Sequence, residues 1–221
     1  MINITDLFDI DKTIAPSLFF EKKYPWEALS DIGAYILALG PQLPTDRFDN
    51  PSQGVWIAKS AKIAASAYIN GPCIIDDGAE VRHCAYIRGD AIIGKRCVIG
   101  NSTEIKNAVL FDEVQVPHYN YVGDSILGYK SHMGAGSIAS NLKGDKSPVV
   151  IRDGVVSIPT GRKKLGAIIG DYVEIGCNCV LSPGCVVGKG STVYPLSFVR
   201  GVIPENSIYK NKSTAEIITK K

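Results

Sequence analysis

At 221 residues the chain is sized for one domain, or one domain with a small appendage, and its 45% hydrophobic content suffices for a sizeable core. A net charge of +2 gives no argument for a nucleic-acid or membrane partner, which would need a basic face or an apolar amphipathic stripe. No apolar run reaches the roughly 18 to 20 residues of a membrane span. Asp6, Asp9 and Asp11 ahead of Lys12 lack the basic-then-apolar order of a signal peptide, so the expectation is a cytoplasmic chain.

Residues 1–54 do not repeat and read as a helical cap or lead-in. Residues 15–21 and 26–39 have helix-like spacing, with Leu29, Ile32, Tyr35, Ile36 and Leu39 on one stripe. Pro16 suits a first turn and Gly40-Pro41 a stop. Residues 44–53 (PTDRFDNPSQ) read as a loop by composition.

From Ile57 the chain counts in sixes: Ile57, Ile63, Ile69, Ile75, Val81, Ile87, Ile93, Ile99, Ile105 and Phe111. The residue four places after each is small or β-branched, from Ala61 through Val109, until Gln115 breaks the rule. The count returns at Ile169, Ile175, Leu181, Val187, Val193 and Val199. Neither a helix nor an amphipathic strand has period six, whereas a triangular solenoid does. Each unit makes one wall and one corner, with the large aliphatic inside and the small residue where walls crowd together. The pattern resembles the hexapeptide-repeat left-handed β-helix, which implies a mainly β fold over residues 55–205, interrupted by an excursion at 141–168. Residues 206–221 read as a C-terminal tail. Cys73, Cys97, Cys179 and Cys185 occupy the small interior slot, where cysteine acts as a compact hydrophobe. Cys84 and Cys177 fall elsewhere. The lead-in could cover one raw end of the stack, and the tail the other.

Within the excursion, Val149 to Arg152, then Asp153-Gly154, then Val155 to Ile158 reads as a hairpin with a two-residue turn. It leads to the basic cluster Arg162, Lys163 and Lys164. The plain reading of that cluster is a solvated loop, and the sharper one a grip on a polyanion such as the phosphates of coenzyme A.

The stretch 115–141, QVPHYNYVGDSILGYKSHMGAGSIASN, is where the six-residue count slips, and it holds His118 and His132. His83, two places after Val81, reads as surface. With successive histidines spaced 35 and 14 positions apart, a three-histidine zinc site is not expected, and no metal is. No nucleotide-type Gly-rich loop, Cys-x-x-Cys pair or Gly-x-Ser-x-Gly elbow is present.

Residues 101–141 resemble the acetyltransferase domain of the bifunctional bacterial enzyme that makes UDP-N-acetylglucosamine. They resemble more closely the corresponding domain of archaeal sugar-1-phosphate nucleotidylyltransferases with amino-sugar acetyltransferase activity. The archaeal type shares Asn141-Leu142 and the G-R-K-K-L-G-A-x-I-G exit, and the similarity spans roughly 57–205. Such proteins usually carry a preceding nucleotidyltransferase domain, so the expectation is a stand-alone form, with a separate nucleotidyltransferase as a partner to consider. The resemblance makes His118, in H-x-x-Y-x-G-D with Tyr121 and Asp124, the general base, and Lys106 and Arg88 the sugar-phosphate ligands. The repeat adds its own argument, because Arg88 and Lys106 lie eighteen apart, one whole coil, and should share a face about 4.8 Å apart. Departures are Leu142 for the bacterial tyrosine, His132 for a substrate-holding asparagine and Cys177 for a coenzyme-contacting serine.

Acyl transfer to an amine needs a base, oxyanion donors and positioning of two substrates. His118 is the base and Glu104 a candidate to orient it or the substrate amine. The backbone N–H groups of Ala135 and Gly136 are oxyanion-hole candidates. Tyr121 and Asn141 would bond the sugar, and Lys146 could add to phosphate binding. The expected reaction is direct transfer from acetyl-CoA to an amino-sugar 1-phosphate in a homotrimer, with Cys177 and Arg162 to Lys164 on the coenzyme side. The alternatives are O-acetylation of a sugar or small alcohol, and a non-catalytic scaffold beside a nucleotidyltransferase.

Overall fold

A computed structural model describes residues 2–211, and the expected tail beyond 211 lies outside the described residues. Short parallel strands stack into a three-walled prism, the mainly β left-handed helix that the six-residue count implies. The first wall runs through Val55–Ala58, Cys73–Ile75, Ala91–Ile93, Ala167–Ile169, Cys185–Val187 and Val202–Ile203. The second runs from Lys62–Ile63 through Val98–Asn101, Gln115–His118 and His132–Met133 to Ile208–Tyr209. The third includes Tyr68–Ile69, Tyr86–Ile87, Ile138–Ala139, Val180–Leu181 and Phe198–Val199. Two longer strands, Glu104–Leu110 and Tyr121–Leu127, run from the third wall into the first.

Those two strands explain the slip. Before them the coil is eighteen residues long, as in the pairings Val55 with Cys73 and Cys73 with Ala91. Within them it is seventeen: Glu104 pairs with Tyr121, Gln115 with His132 and Tyr121 with Ile138. The interior series reads Ile105, Leu110, Val116, Val122, Leu127, Met133 and Ala139, all fully buried, with one five-residue step per coil. The irregular centre is thus a regular repeat of another length. Leu110, not Phe111, faces inward opposite Ile93. Phe111 is buried on the outside, its ring 5.0 Å from Phe8 and 5.5 Å from Phe19. Val114 takes the crowded slot expected of Gln115, which is exposed.

The lead-in lies along the first wall and does not cover an end of the stack. In a strand, residues between inward ones point outward, so Ile74, Ile92, Val109, Ile126 and Ile168 would form an exposed apolar stripe. All five are 0% exposed. The helix Ile32–Leu39 packs over Cys73–Ile75, Ala91–Ile93 and Glu104–Leu110, and the 3-10 turn Pro25–Ser30 over Tyr121–Leu127. Backbone bonds fasten the segment: Asp112 N donates to the Lys12 carbonyl at 2.8 Å, and Asp171 N to that of Leu7 at 3.0 Å. Within the expected 44–53 loop, Phe48–Ser52 instead forms a strand antiparallel to Val55–Ala58, which occupies that sheet edge. The 15–21 and 26–30 stretches wind as 3-10 turns, with Pro16 and Pro25 opening them.

Two boundaries shift. The excursion hairpin pairs Val150–Asp153 with Val156–Pro159, so its turn is Gly154-Val155 and not Asp153-Gly154. Gly154 has φ 58°, and the first position of a Gly-led hairpin turn requires a positive φ. The solenoid also continues past 205, since Ile208–Tyr209 pairs with Thr192–Val193. Cys73, Cys97, Cys179 and Cys185 are buried as expected, and burial pushes the Cys73 and Cys185 thiols up to about 12. Cys84 and Cys177 are exposed.

Because Ile92 lies between the first wall and its helical cover, Ile92→Ala should cost about 2–5 kcal/mol, measured by urea unfolding. A loss under about 0.5 kcal/mol would mean that the cover contributes little.

Candidate active site

The five-residue step falls at the corner between the third and first walls. In the preceding eighteen-residue coil this corner holds two residues of positive φ, Gly89 (101°) and Asp90 (48°). In the shortened coils a single residue turns the chain, Asn107 (45°) and then Asp124 (48°). Asn and Asp tolerate the left-handed conformation better than other residues with a Cβ. The next coil brings Asn141 to the same corner, where the excursion leaves. Asp124, 3% exposed, collects the cluster. Its Oδ1 accepts from Asn107 Nδ2 at 2.8 Å, and its Oδ2 from Asn141 Nδ2 at 2.5 Å and Lys106 Nζ at 3.3 Å. Asn141 Nδ2 also donates to the Tyr121 hydroxyl at 3.1 Å. Gly123 keeps the space between Tyr121 and Asn141 clear, since a Cβ there would collide with the Tyr121 hydroxyl.

Arg88 and Lys106 share a face one coil apart, because Ile87 pairs with Ile105. Each already holds a carboxylate: Arg88 Nη1 donates to Glu104 Oε1 at 2.6 Å, and Lys106 holds Asp124. The Glu104 carboxylate holds the Arg88 guanidinium above its ordinary pKa. Glu104 therefore orients Arg88 and makes no bond to His118, which departs from the first role expected of it. Its partly exposed pair with Arg88 is of the kind worth little in water, so an incoming anion can compete for the guanidinium. Burial, followed by the Asp124 and Glu104 carboxylates, pushes the Tyr121 phenol upward and keeps it protonated.

His118 stands at the next corner, between the second and third walls. It pairs with Asn101 on one side, and the Gln115–His132 register carries it opposite Ala135 on the other. The His132–Glu174 register then sets Ala135 opposite Cys177, so the three form one column. The His118 imidazole is exposed and has no hydrogen-bond partner among the described residues. Its backbone is held firmly: His118 N donates to Asn120 Oδ1 at 3.1 Å, and its carbonyl accepts from Gly136 N at 3.0 Å. Asn120, 3% exposed, ties this turn to the next coil through the Gly134 carbonyl at 2.8 Å. Of the two expected oxyanion donors, the Gly136 N–H is thus already engaged, and the Ala135 N–H is the remaining one. Below Ala135 a shallow groove of about 330 Å³ runs along the second wall past Gly134, Gly176 and Cys177 to Pro195.

The basic cluster returns beside this site. Lys164 bridges Leu142, Leu165 N donates to the Asn141 carbonyl at 3.0 Å, and Gly166 N donates to that of Asp124 at 2.8 Å. Arg162 is near enough to Asp31 of the lead-in to help lower its pKa, after the larger effect of the Lys22 hydrogen bond. Lys163 is exposed. Lys146 lies on a separate exposed turn, its N–H bonded to the Lys143 carbonyl, and its side chain joins none of the cluster. His132 is bound to Glu174 at 2.8 Å on the second wall, and His83 to Ser66 at 2.6 Å. Among the described residues no three His, Cys, Asp or Glu side chains are grouped to hold a metal ion. No helix among them is long and apolar enough to cross a membrane. Asn107 and Asn120 escaped the sequence reading, and Asp124 entered it only through a motif. The readable signal was the recurrence Asn107, Asp124, Asn141 at seventeen-residue intervals.

Comparison with known proteins agrees with the resemblance. Residues 69–158 match the family described as GMPPB C-terminal domain, and residues 166–201 that described as bacterial transferase hexapeptide (six repeats). The chain is 34% identical over 180 residues to the "Bifunctional protein GlmU" of Methanococcus maripaludis, covering 73% of this chain and 43% of that protein. It is 34% identical over 156 residues to the "Bifunctional sugar-1-phosphate nucleotidylyltransferase/acetyltransferase" of Sulfurisphaera tokodaii, covering 71% and 39%. The chain thus spans less than half the length of these curated relatives. A solved acetyltransferase domain of PglB from Neisseria gonorrhoeae aligns at 20% identity over 70% of this chain and 53% of that one. The TM-score of that alignment is 0.37.

Asp124→Ala would strand two amide donors and an ammonium in a half-buried corner and place alanine at a positive φ. The expected loss is about 3 kcal/mol in urea unfolding. A loss under about 1 kcal/mol would mean that the cluster does not hold the corner together.

Proposed function

We propose that the chain is an acetyl-CoA-dependent N-acetyltransferase whose acceptor is an amino-sugar 1-phosphate, glucosamine or galactosamine. The observation that carries this reading is the pairing of Arg88 and Lys106, one coil apart, with a polar Tyr121–Asp124–Asn141 network. All of this lies one corner away from an unengaged imidazole at His118. The named acetyltransferase relatives support the reaction class. A solenoid needs none of these polar groups on its outer face, which speaks against a bare scaffold.

The acceptor's phosphate lies against Arg88 and Lys106, each of which turns from its present carboxylate toward the stronger charge of the dianion. Tyr121 and Asn141 hydrogen-bond the sugar hydroxyls. Glu104, once released by Arg88, can accept a hydrogen bond from the acceptor's ammonium group and orient it. His118 is the base, since imidazole is the side chain able to be neutral near physiological pH, to take the amine proton and to return it to the departing coenzyme A thiolate. The donor supplies an activated acetyl thioester, and the glycine-lined groove beside Ala135 and Cys177 is open enough to admit a thin chain. The Ala135 N–H faces the acetyl oxygen, and Arg162, Lys163 and Lys164 are the proposed contacts for the donor's phosphates. Transfer is direct, because the exposed Cys177 thiol has no hydrogen-bond partner among the described residues to act as its base.

The same reading makes the protein a homotrimer. The first wall is covered by its own chain, whereas the third exposes Tyr68, Tyr86, Ile138 and Val180 on either side of the polar cluster. Such a divided apolar face suits subunits that meet around a shared cleft.

Release of free coenzyme A should follow mixing of acetyl-CoA with glucosamine 1-phosphate or galactosamine 1-phosphate, and should be far slower with unphosphorylated glucosamine. His118→Ala should lower kcat by about 10²–10⁴-fold with an unchanged melting temperature, because the side chain is exposed and unbonded. Equal turnover in the variant would overturn the role of His118. Preference for a hydroxyl acceptor without phosphate would transfer the site to O-acetylation.

A further inference from the structure

A second concentration of positive charge lies along the corner between the third and first walls, farther down the stack. The hairpin Val150–Asp153 and Val156–Pro159 folds back over the late coils and leaves a cleft of about 430 Å³ against them. Two glycines of positive φ allow that close approach. At Gly184 (77°) a Cβ would meet Val149 Cγ1 at 2.5 Å, and at Gly201 (74°) it would press on the Arg152 carbonyl at 3.2 Å. Lys143, Arg152 and Arg200 line the cleft, with Ser182 and the apolar Val149 and Pro183.

The cations are unevenly engaged. Lys143 is shared with Asp145 at 3.5 Å and with the Ser147 hydroxyl. Arg152 and Arg200 have no carboxylate partner among the described residues. That contrasts with Arg47, Arg82, Arg88 and Arg96, each of which is paired. The Arg200 guanidinium lies 5.9 Å from the ring centroid of Phe198, a residue 53% exposed. Phe198, Pro183 and Arg200 continue into the adjoining groove that runs up to Leu142, next to Asn141.

Two free guanidinium forks beside a lysine suit adjacent phosphates. The volume is in the range of small-molecule sites and leaves most of its space empty around a lone phosphate. The exposed aromatic with a cation at its face is a platform of the sort on which nucleobases stack. We propose that this cleft binds a nucleoside diphosphate, with the phosphates among Arg152, Arg200 and Lys143 and the base against Phe198 and Pro183. None of these residues belongs to the acceptor cluster, and the proposal does not require the acetyl-transfer reading. The adenosine diphosphate portion of coenzyme A and a free nucleoside diphosphate offer the same chemistry, so the test includes both.

The test is calorimetric titration of the full chain with ADP, UDP, coenzyme A and inorganic phosphate, repeated on Arg152→Ala, Arg200→Ala and the double variant. A nucleoside diphosphate should bind, each single variant should weaken it about tenfold, and the double variant about a hundredfold. His118→Ala should bind as the wild type does. Both arginines are exposed, and melting curves check that the variants fold; the charge-keeping pair Arg152→Lys and Arg200→Lys should retain part of the affinity. Competition between coenzyme A and ADP would make the donor the source, and simultaneous binding would make it a free nucleotide; either upholds the site. No binding of ADP or UDP, binding unchanged in the double variant, or inorganic phosphate binding as tightly as the nucleotides would overturn the proposal.

Discussion

The structure turns on a single carboxylate. Asp124 sits at a corner made one residue shorter than the repeat prescribes, and accepts hydrogen bonds from Asn107 and Asn141 on the coils to either side. A buried carboxylate without such donors would be costly, so the shortened corner and the amides that line it stand or fall together. Their joint product is positional. Lys106 is drawn to the corner by Asp124, Tyr121 is held by Asn141, and the excursion departs and returns beside both. A site that needs several polar groups at sub-ångström tolerance is better carried by a stacked sheet than by a loop, and here the stack supplies the frame while one missing residue per coil supplies the variation.

The distribution of apolar surface follows from covering one wall of three. The lead-in packs Leu29, Ile32 and Ile36 over the outward residues of the first wall, which is why residues 2–47 are fastened along the solenoid and not across its end. The hairpin of the excursion extends the same cover to the late coils, over Gly184 and the strand Val202–Ile203. What remains open is the second wall and the third, and the acceptor cluster lies on the third. This arrangement puts the candidate chemistry where other molecules can reach it and leaves the first wall as structural ballast.

Much of this was legible because a six-residue period admits few folds. Ile57 to Ile105 announced the walls, and the cysteines at the crowded slot announced their own burial. Arg88 and Lys106 could be placed on one face by arithmetic alone. The arithmetic failed at Phe111, which keeps the six-count by coincidence while facing outward under Phe8 and Phe19. An apolar residue satisfies either side of a wall that is covered on both, so hydrophobicity could not tell Phe111 from Leu110. The polar residues did carry that information, in the seventeen-residue recurrence of Asn107, Asp124 and Asn141. Partners of charged groups were not legible either. Glu104 is found on Arg88 and not on His118, a pairing between side chains of neighbouring coils that the repeat spacing does not specify.

The central claim is that the shortened corner holds an amino-sugar phosphate through Arg88 and Lys106. Its most direct measurement is calorimetric titration of glucosamine 1-phosphate, with no acetyl donor present, into the wild-type chain and into Lys106→Met. The account predicts measurable binding by the wild type, weakened at least about tenfold in the variant, and little heat from unphosphorylated glucosamine in either. Equal affinity of the two proteins, or equal binding of the phosphorylated and unphosphorylated sugars, would contradict it.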